Sequence, residues 1–114
     1  MVRVPLDEDV DVRLRDHFGA DVEAETVEYQ GWKGLKNGDL LYAAAQEFDV
    51  LVTMDDHLPS QQNLPRFDLA VVILRPRSKA LEHLLQLMPE VTKRLPEVRS
   101  GSAIRIYPPQ IQPA

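Results

Sequence analysis

The stretch Asp49-Val50-Leu51-Val52-Thr53-Met54-Asp55-Asp56 decides the fold that we expect for this chain of 114 residues. Its apolar, β-branched segment, residues 50–53, is typical of a strand that is buried on both faces of a parallel sheet. Two carboxylates follow this strand directly, and open α/β sheets bind ligands beyond the carboxyl ends of their strands. The stretch therefore predicts a central strand and a functional edge of the sheet.

The first strand candidate, Val2-Arg3-Val4-Pro5-Leu6, ends in the same way, with Asp7-Glu8-Asp9. If the two strands are parallel neighbours, their acidic ends meet at one edge of the sheet. Carboxylates that lie close together repel one another, so such a cluster suggests a bound cation.

Alternating strand and helix patterns cover the rest of the chain. Further strands are predicted at about 21–27, 69–74 and 103–107. Helices are predicted over about 10–18, over about 38–48 and from about residue 79, with Asp9, Asn37 and Ser78 as their N-terminal caps. Pro89 should kink the last helix or start a second segment. This alternation predicts a parallel α/β sheet in a single domain, residues 1–107, with a loose proline-rich tail at 108–114.

Composition and charge restrict the classes of function. The chain has 18 acidic and 13 basic residues, whereas a protein that binds nucleic acid through charge alone is usually basic. A metal-dependent nuclease is still compatible with this balance, because a divalent ion offsets its acidic ligands locally. No apolar run approaches the roughly 20 residues that span a bilayer. Without a signal-peptide pattern or a cysteine, we expect a cytoplasmic protein that has no membrane contact, disulfide or thiolate site.

Three aspartates are candidate metal ligands: Asp7, Asp39 and Asp55, with Glu8 and Asp56 as additions. Carboxylates at neighbouring strand ends and at a helix N-terminus suit Mg²⁺ or Mn²⁺, because these hard cations prefer oxygen. A water molecule that such a cation has made more acidic can attack a phosphodiester. The alternative is that Asp39 only offsets the helix dipole and that Asp7 only caps the first helix. In the metal-free protein, repulsion should raise the pKa of at least one carboxylate of the group.

Basic side chains are expected beside these acids. Arg75 and Arg77 follow the strand at 69–74, and Lys36 flanks the same edge. Since arginine grips phosphate through two-point contacts, these three residues are candidates for substrate binding. The alternative for Arg75 is an ion pair that holds an acid in place. Trp32 either stacks a nucleotide base or covers the edge of the core, and we favour the second.

Several segments together resemble the PIN-like domains, and more narrowly the small bacterial PIN-like family of uncharacterised function. They are Leu6-Asp7-Glu8, Gly31-Trp32-Lys33-Gly34-Leu35-Lys36-Asn37-Gly38-Asp39-Leu40-Leu41 and Asp49-Val50-Leu51-Val52-Thr53-Met54-Asp55. The resemblance continues through residues 58–64 and 71–75 and covers about 2–107. It implies a three-layer α/β/α sandwich with a mainly parallel central sheet and an acidic edge that binds Mg²⁺ or Mn²⁺.

The same resemblance implies roles for individual residues. By position, Asp7, Asp39 and Asp55 are the first, middle and third catalytic acids and hold the metal, with Glu8 beside them. PIN domains are generally single-strand-specific ribonucleases, and many are toxins that an antitoxin encoded beside them neutralises. Asp9 stands where the family often has asparagine, and the usual fourth acid has no clear counterpart.

We therefore expect a Mg²⁺- or Mn²⁺-dependent endoribonuclease that cuts single-stranded RNA and is the toxin of a toxin–antitoxin pair. Its expected partners are single-stranded RNA, an antitoxin protein and a second copy of the chain. One alternative is a non-catalytic PIN-like module that binds a protein or RNA. Another is a phosphate-handling, receiver-like switch, although the lysine that usually accompanies such a site is not evident.

Overall fold

Five strands form the central sheet of the computed structural model, which describes residues 1–109. The strands are β1 (Val2–Leu6), β2 (Val22–Thr26), β3 (Val50–Thr53), β4 (Ala70–Leu74) and β5 (Ala103–Ile106). Their order across the sheet is β2-β1-β3-β4-β5, and each strand is parallel to its neighbours. The α/β class and the parallel sheet that the sequence predicted are thus confirmed.

Helical segments cover both faces of the sheet, so the domain has three layers, as expected. One face packs against α1 (Asn37–Glu47) and α2 (Leu58–Gln61). The other packs against a 3₁₀-helix (Val12–His17), α3 (Leu81–Leu85) and α4 (Met88–Arg94). Successive residues of β3 and β4 point alternately into the core on one face of the sheet and the core on the other. Every residue of both strands is buried. Their central position between two helical layers explains why these strands are the most apolar.

The direction in which the chain crosses the sheet reverses between β1 and β3. From β1 the chain passes over one face to β2, and it returns over the opposite face through α1 to β3. Leu6 pairs with Val52, and the Asp7 N–H donates to the Val52 carbonyl at 2.9 Å. The acidic ends of the two strands therefore meet, and they do so at a topological switch point, where open α/β sheets form their binding crevice.

The first helix differs from its prediction. The segment expected as a helix over 10–18 forms a 3₁₀-helix at Val12–His17. Asp11 rather than Asp9 caps it, since the Asp11 carboxylate accepts a hydrogen bond from the Arg13 N–H at 2.9 Å. The prediction of Asp9 as the cap was wrong because its carboxylate accepts from the Met54 N–H, beyond the end of β3, at 3.1 Å.

The cap predicted for α1 was also wrong. Asn37 is the first residue of the helix, and Lys36 occupies the cap position without a side-chain hydrogen bond. The Asn37 amide is directed instead to Asp55, 18 residues away. A polar residue at the start of a helix can bond either the helix or a distant residue, and Asn37 bonds the distant Asp55.

The helix predicted from about residue 79 begins at Leu81 as α3, and the cap predicted for it was wrong. Ala80 occupies the cap position without a side-chain hydrogen bond, and Ser78 accepts from the Ala80 N–H at 3.1 Å ahead of the helix. Pro89 lies in the first turn of α4, so it starts a second helical segment, as one of the two expected outcomes stated. Of the predicted tail, residues 110–114 lie outside the described residues. Within 1–109, no helix has the length and apolar character needed to cross a membrane.

Candidate functional site

An acidic cavity lies at the carboxyl ends of β1 and β3. Its volume is about 370 Å³, and its lining residues are Asp7, Glu8, Asp9, Gly34, Leu35, Asn37 and Asp55. Of the predicted metal ligands, Asp7, Glu8 and Asp55 are therefore brought together. Asp9 and Asn37, which the sequence analysis assigned to helix capping, are part of the same cavity.

Asp39, the predicted middle acid, does not line this cavity. It is an exposed residue in the first turn of α1, two positions after Asn37. The Asn37 Nδ2 donates to Asp55 Oδ2 at 3.0 Å, so the residue of α1 that lines the acidic cavity is Asn37 and not Asp39. The catalytic role of Asp39 stays a prediction, and its location also suits the alternative, a charge that offsets the helix dipole.

Thr53, the last residue of β3, links the two aspartates that follow the strands. It is fully buried, and its hydroxyl donates to Asp7 Oδ2 at 2.8 Å. The same hydroxyl accepts from the Asp55 N–H at 3.1 Å. The remaining oxygens, Asp7 Oδ1 and Asp55 Oδ1, accept from the N–H groups of Glu8 and His57 at 2.8 and 3.0 Å. Both carboxylates are thus held in fixed orientations by the chain.

The glycine-rich loop is tied to the same cavity through Glu8. The Gly34 N–H donates to Glu8 Oε1. Gly34 has a φ angle of 83°, in the left-handed region that glycine adopts without steric cost. The glycine-rich loop therefore contacts the acidic edge through a backbone N–H.

The pKa of Asp9 is raised by its surroundings in the cavity. The residue as a whole is exposed, but its carboxylate is partly buried. This burial, together with the nearby charges of Asp7 and Asp55, raises the pKa of Asp9 to about 6, against the opposing effect of the hydrogen bond from Met54. The raised pKa thus belongs to a residue outside the group of candidate metal ligands, and the repulsion predicted among Asp7, Glu8, Asp39 and Asp55 stays a prediction.

The donor chemistry of the cavity fits a hard divalent cation, because carboxylate and amide oxygens are the ligands that Mg²⁺ and Mn²⁺ prefer. Each carboxylate oxygen has two acceptor sites, so one hydrogen bond from the chain leaves a second site for a cation. In their present orientations, no group of three or more Asp, Glu or His side chains within residues 1–109 could hold a metal ion. Metal binding at this edge stays a prediction.

Protein-family profiles, curated proteins and solved structures were compared with this chain, and none matches it. The PIN-like assignment stays a prediction from the motifs quoted above. The geometry of the acidic edge and of the basic residues beside it does not depend on that assignment.

A basic pair lies at the carboxyl ends of β4 and β5. Arg105 Nε donates to Asp56 Oδ1 at 2.6 Å, and Arg105 Nη2 donates to the Asp56 carbonyl at 3.2 Å. Arg75 Nε lies 3.8 Å from the same Asp56 oxygen. The hydrogen bond from Arg105 holds the pKa of Asp56 below its usual value. Asp56 therefore pairs with two arginines instead of joining the acidic cavity, and the ion pair considered for Arg75 is present.

The other basic candidates have no such partner. Arg77 and Lys36 are exposed, and neither forms an ion pair with any residue from 1 to 109. Their role in substrate binding stays a prediction. The Trp32 ring packs edge to face on Phe48, with 5.7 Å between the ring centroids, so it covers the edge of the core as favoured.

Four residues of this edge were missed as site residues by the sequence analysis: Asp9, Asn37, Thr53 and Arg105. Thr53 carried a signal, since it is the one polar residue in the apolar run of β3. Arg105 carried a weaker one, a charge between two isoleucines at a strand end. Asp9 carried the signal of the acidic segment Asp7-Glu8-Asp9 but was assigned to capping, and the contact of Asn37 across the fold had no signal of its own.

Proposed function

We propose that this chain is a PIN-like, Mg²⁺- or Mn²⁺-dependent endoribonuclease that cuts single-stranded RNA. The observation that supports the proposal is the convergence of Asp7, Asp9 and Asp55 at the switch point of a parallel sheet. Binding crevices of open α/β sheets occur at this position. A cationic ligand would offset the repulsion that Asp7 and Asp55 exert on Asp9, and we therefore assign a cation to this group.

Asp7 and Asp55 would hold the cation, with Asp9 and Glu8 adding negative charge. When bound, the cation supplies Lewis-acid chemistry, since it offsets phosphodiester charge and makes the attacking water more acidic. Thr53, Asn37 and the His57 N–H orient the two carboxylates through hydrogen bonds, in the way that hydrogen-bond partners of metal ligands fix the orientation of those ligands. Fixed orientation matters because small displacements of ligands lower rates strongly.

RNA cleavage tests the proposal. The purified protein should cut a labelled single-stranded RNA in Mn²⁺ or Mg²⁺, and EDTA should stop the reaction. Asp7→Asn and Asp55→Asn should each abolish cutting, because the cation loses a charged ligand. Asp21→Asn is the matched control, since Asp21 is an exposed aspartate at the opposite edge of the sheet. Equal cutting by wild type and both site variants would identify a contaminating nuclease and overturn the proposal.

The same assay decides between Asp39 and Asn37 as the middle residue. Asp39→Asn removes a charge that does not line the cavity, whereas Asn37→Ala removes the hydrogen bond to Asp55. Loss of cutting in Asp39→Asn alone would support the role that the resemblance implies. Loss of cutting in Asn37→Ala alone would indicate that the Asn37 amide, and not Asp39, acts as the middle residue.

We further propose that the chain is the cytoplasmic toxin of a toxin–antitoxin pair. Its expression should arrest growth, and Asp7→Asn should relieve the arrest. Co-expression with the product of the neighbouring gene should restore growth and yield a complex in a pull-down experiment. Recovery of the protein alone or as a homodimer at every salt concentration, together with normal growth, would contradict the toxin role.

A non-catalytic module that binds RNA or a protein is the second candidate. The observation that favours it is that donors of the chain already bind the carboxylates of the cavity, and no group of three within 1–109 could hold a metal as oriented. RNA binding without any cutting in saturating Mn²⁺ would select this candidate.

A further inference from the structure

The basic pair at the ends of β4 and β5 has more positive charge than its partner offsets. Arg75 and Arg105 both approach one carboxylate, Asp56, so two positive charges face a single negative charge. The side chains of the two arginines are 42% and 39% exposed. This end of the sheet therefore presents a net positive charge to solvent, next to an acidic cavity.

Strand pairing holds the two arginines side by side. Arg105 pairs with Ile73 in the register of β4 and β5, and Arg75 follows two residues after Ile73. The Arg75 N–H donates to the Ile106 carbonyl at 2.8 Å, so the backbone ladder continues as far as Arg75. Asp56 follows Asp55 directly in the chain, so the basic pair begins one residue from the acidic cavity.

The Arg105 guanidinium is oriented but not saturated. Asp56 accepts from Nε and Nη2. A guanidinium has five N–H donors in a planar fork, so further donors remain for a ligand. Planar forks of this kind suit the oxygens of a phosphate group.

An exposed aromatic ring completes this end. Tyr107 follows β5 directly, and the residue is 57% exposed. Rings in such positions stack nucleotide bases with little sequence preference, and base stacking accompanies phosphate contacts in proteins that bind single strands. Arginines and a tyrosine thus offer contacts to both parts of a nucleotide.

We propose that Arg75, Arg105 and Tyr107 form a nucleotide subsite for single-stranded RNA beside the acidic edge. The arginines bind a backbone phosphate, and Tyr107 stacks the adjoining base. An anionic strand is repelled by the acidic cavity, so its anchor has to come from the basic side of the edge. The inference rests on the proposed function, because the acidic edge is taken to act on the same strand.

Binding without catalysis tests this subsite. Fluorescence anisotropy of a short labelled single-stranded RNA is measured in EDTA at low salt, so that neither a metal nor cutting contributes. Arg105→Ala should raise the Kd by about tenfold and lower the slope of log Kd against log salt by about 0.7, the value for one phosphate contact in a single strand. Arg105→Lys should recover only part of the affinity, because lysine lacks the planar fork.

Two further variants sharpen the measurement. Tyr107→Ala should raise the Kd and leave the salt slope unchanged, because stacking involves no counterion release. Arg99→Ala is the matched control, since Arg99 is exposed and precedes β5 at the opposite edge of the sheet. Circular dichroism and thermal melts establish that each variant is folded.

The outcomes separate the subsite from the proposed function. Wild-type Kd and salt slope in folded Arg105→Ala and Arg105→Lys would overturn the subsite, even if the protein cuts RNA. If RNA binds through Arg105 but is not cut in Mn²⁺, the subsite is supported and the proposed nuclease function is overturned. Displacement of the RNA by an acidic peptide of equal charge would overturn the assignment to RNA and indicate a protein ligand.

Discussion

The two ends of the sheet's carboxyl edge accommodate negative charge in different ways. At β1 and β3, Asp7, Asp9 and Asp55 lie together without an ion-pair partner among residues 1–109, and N–H and O–H groups bind them. At β4 and β5, Asp56 is bound by arginines. Burial and repulsion raise the pKa of Asp9 to about 6, whereas Arg105 lowers the pKa of Asp56.

The difference shows which end is arranged for stability. A carboxylate with a lowered pKa contributes to stability at neutral pH, and one with a raised pKa costs stability there. The raised pKa of Asp9 therefore lowers the stability of the acidic end at neutral pH. A substitution such as Asp9→Asn would remove this cost, yet the sequence keeps the carboxylate. Arrangements that cost stability are concentrated at functional sites. This contrast supports the proposal that the acidic end binds a metal, whereas the basic end stabilises the fold and also carries the arginines of the proposed nucleotide subsite.

The largest expected change in stability comes from Thr53→Val. This variant keeps the shape of the side chain but leaves the Asp55 N–H and the Asp7 carboxylate without the hydroxyl that joins them. We expect the free energy of unfolding to fall by about 2 kcal/mol, the cost of unpaired buried polar groups. Urea unfolding measures it, and Thr92→Val, at an exposed site on α4, is the control. Equal effects of the two substitutions would mean that the hydroxyl does not hold the acidic end together.

A smaller effect of opposite sign is expected from Asp9→Asn. In the folded protein the pKa of Asp9 is about 6, and in the unfolded chain about 4, so ionisation costs stability as pH rises from about 4 to about 6. The neutral amide avoids this cost and still offers an oxygen to the Met54 N–H. At pH 7 the variant should be more stable by about 1 kcal/mol, a value reduced for solvent screening.

Thermal melts of wild type and Asp9→Asn from pH 4 to pH 7 provide the test. The difference should be near zero at pH 4 and fully developed at pH 7. Asp21→Asn, an exposed site distant from the cavity, should show no such pH dependence. A variant that is less stable than wild type at pH 7 would show that repulsion at Asp9 is not the dominant effect.

The smallest change is expected at the basic end, from Asp56→Asn. Because Arg105 lowers the pKa of Asp56, this carboxylate stabilises the fold above its unfolded pKa, and that contribution is lost as pH falls through the folded pKa. The variant should melt slightly below wild type at pH 7, and the gap should close in acid and at high salt, since exposed ion pairs are screened. A pH response in the same direction as that of Asp9→Asn would remove the contrast between the two ends.

The sequence by itself determined the elements and the class of the fold. The apolar runs of β3 and β4, the alternation of strands and helices, and the acids after β1 and β3 are local patterns. Such patterns suffice because burial on both faces imposes an apolar composition on a central strand, and because a strand end is marked by the residues that follow it.

Only the tertiary structure decided which side chains meet at the carboxyl edge. Asp9 bonds a residue 45 positions away, Asn37 one 18 positions away and Arg105 one 49 positions away. Asp9 and Asn37 were assigned to capping of nearby helices, and Arg105 had no assigned role. Propensity and spacing predict only contacts between residues that are close together in the sequence. Pairing across the sheet is set by strand order, and the order β2-β1-β3-β4-β5 arises from the packing of helices on two faces, which no single segment of the chain specifies.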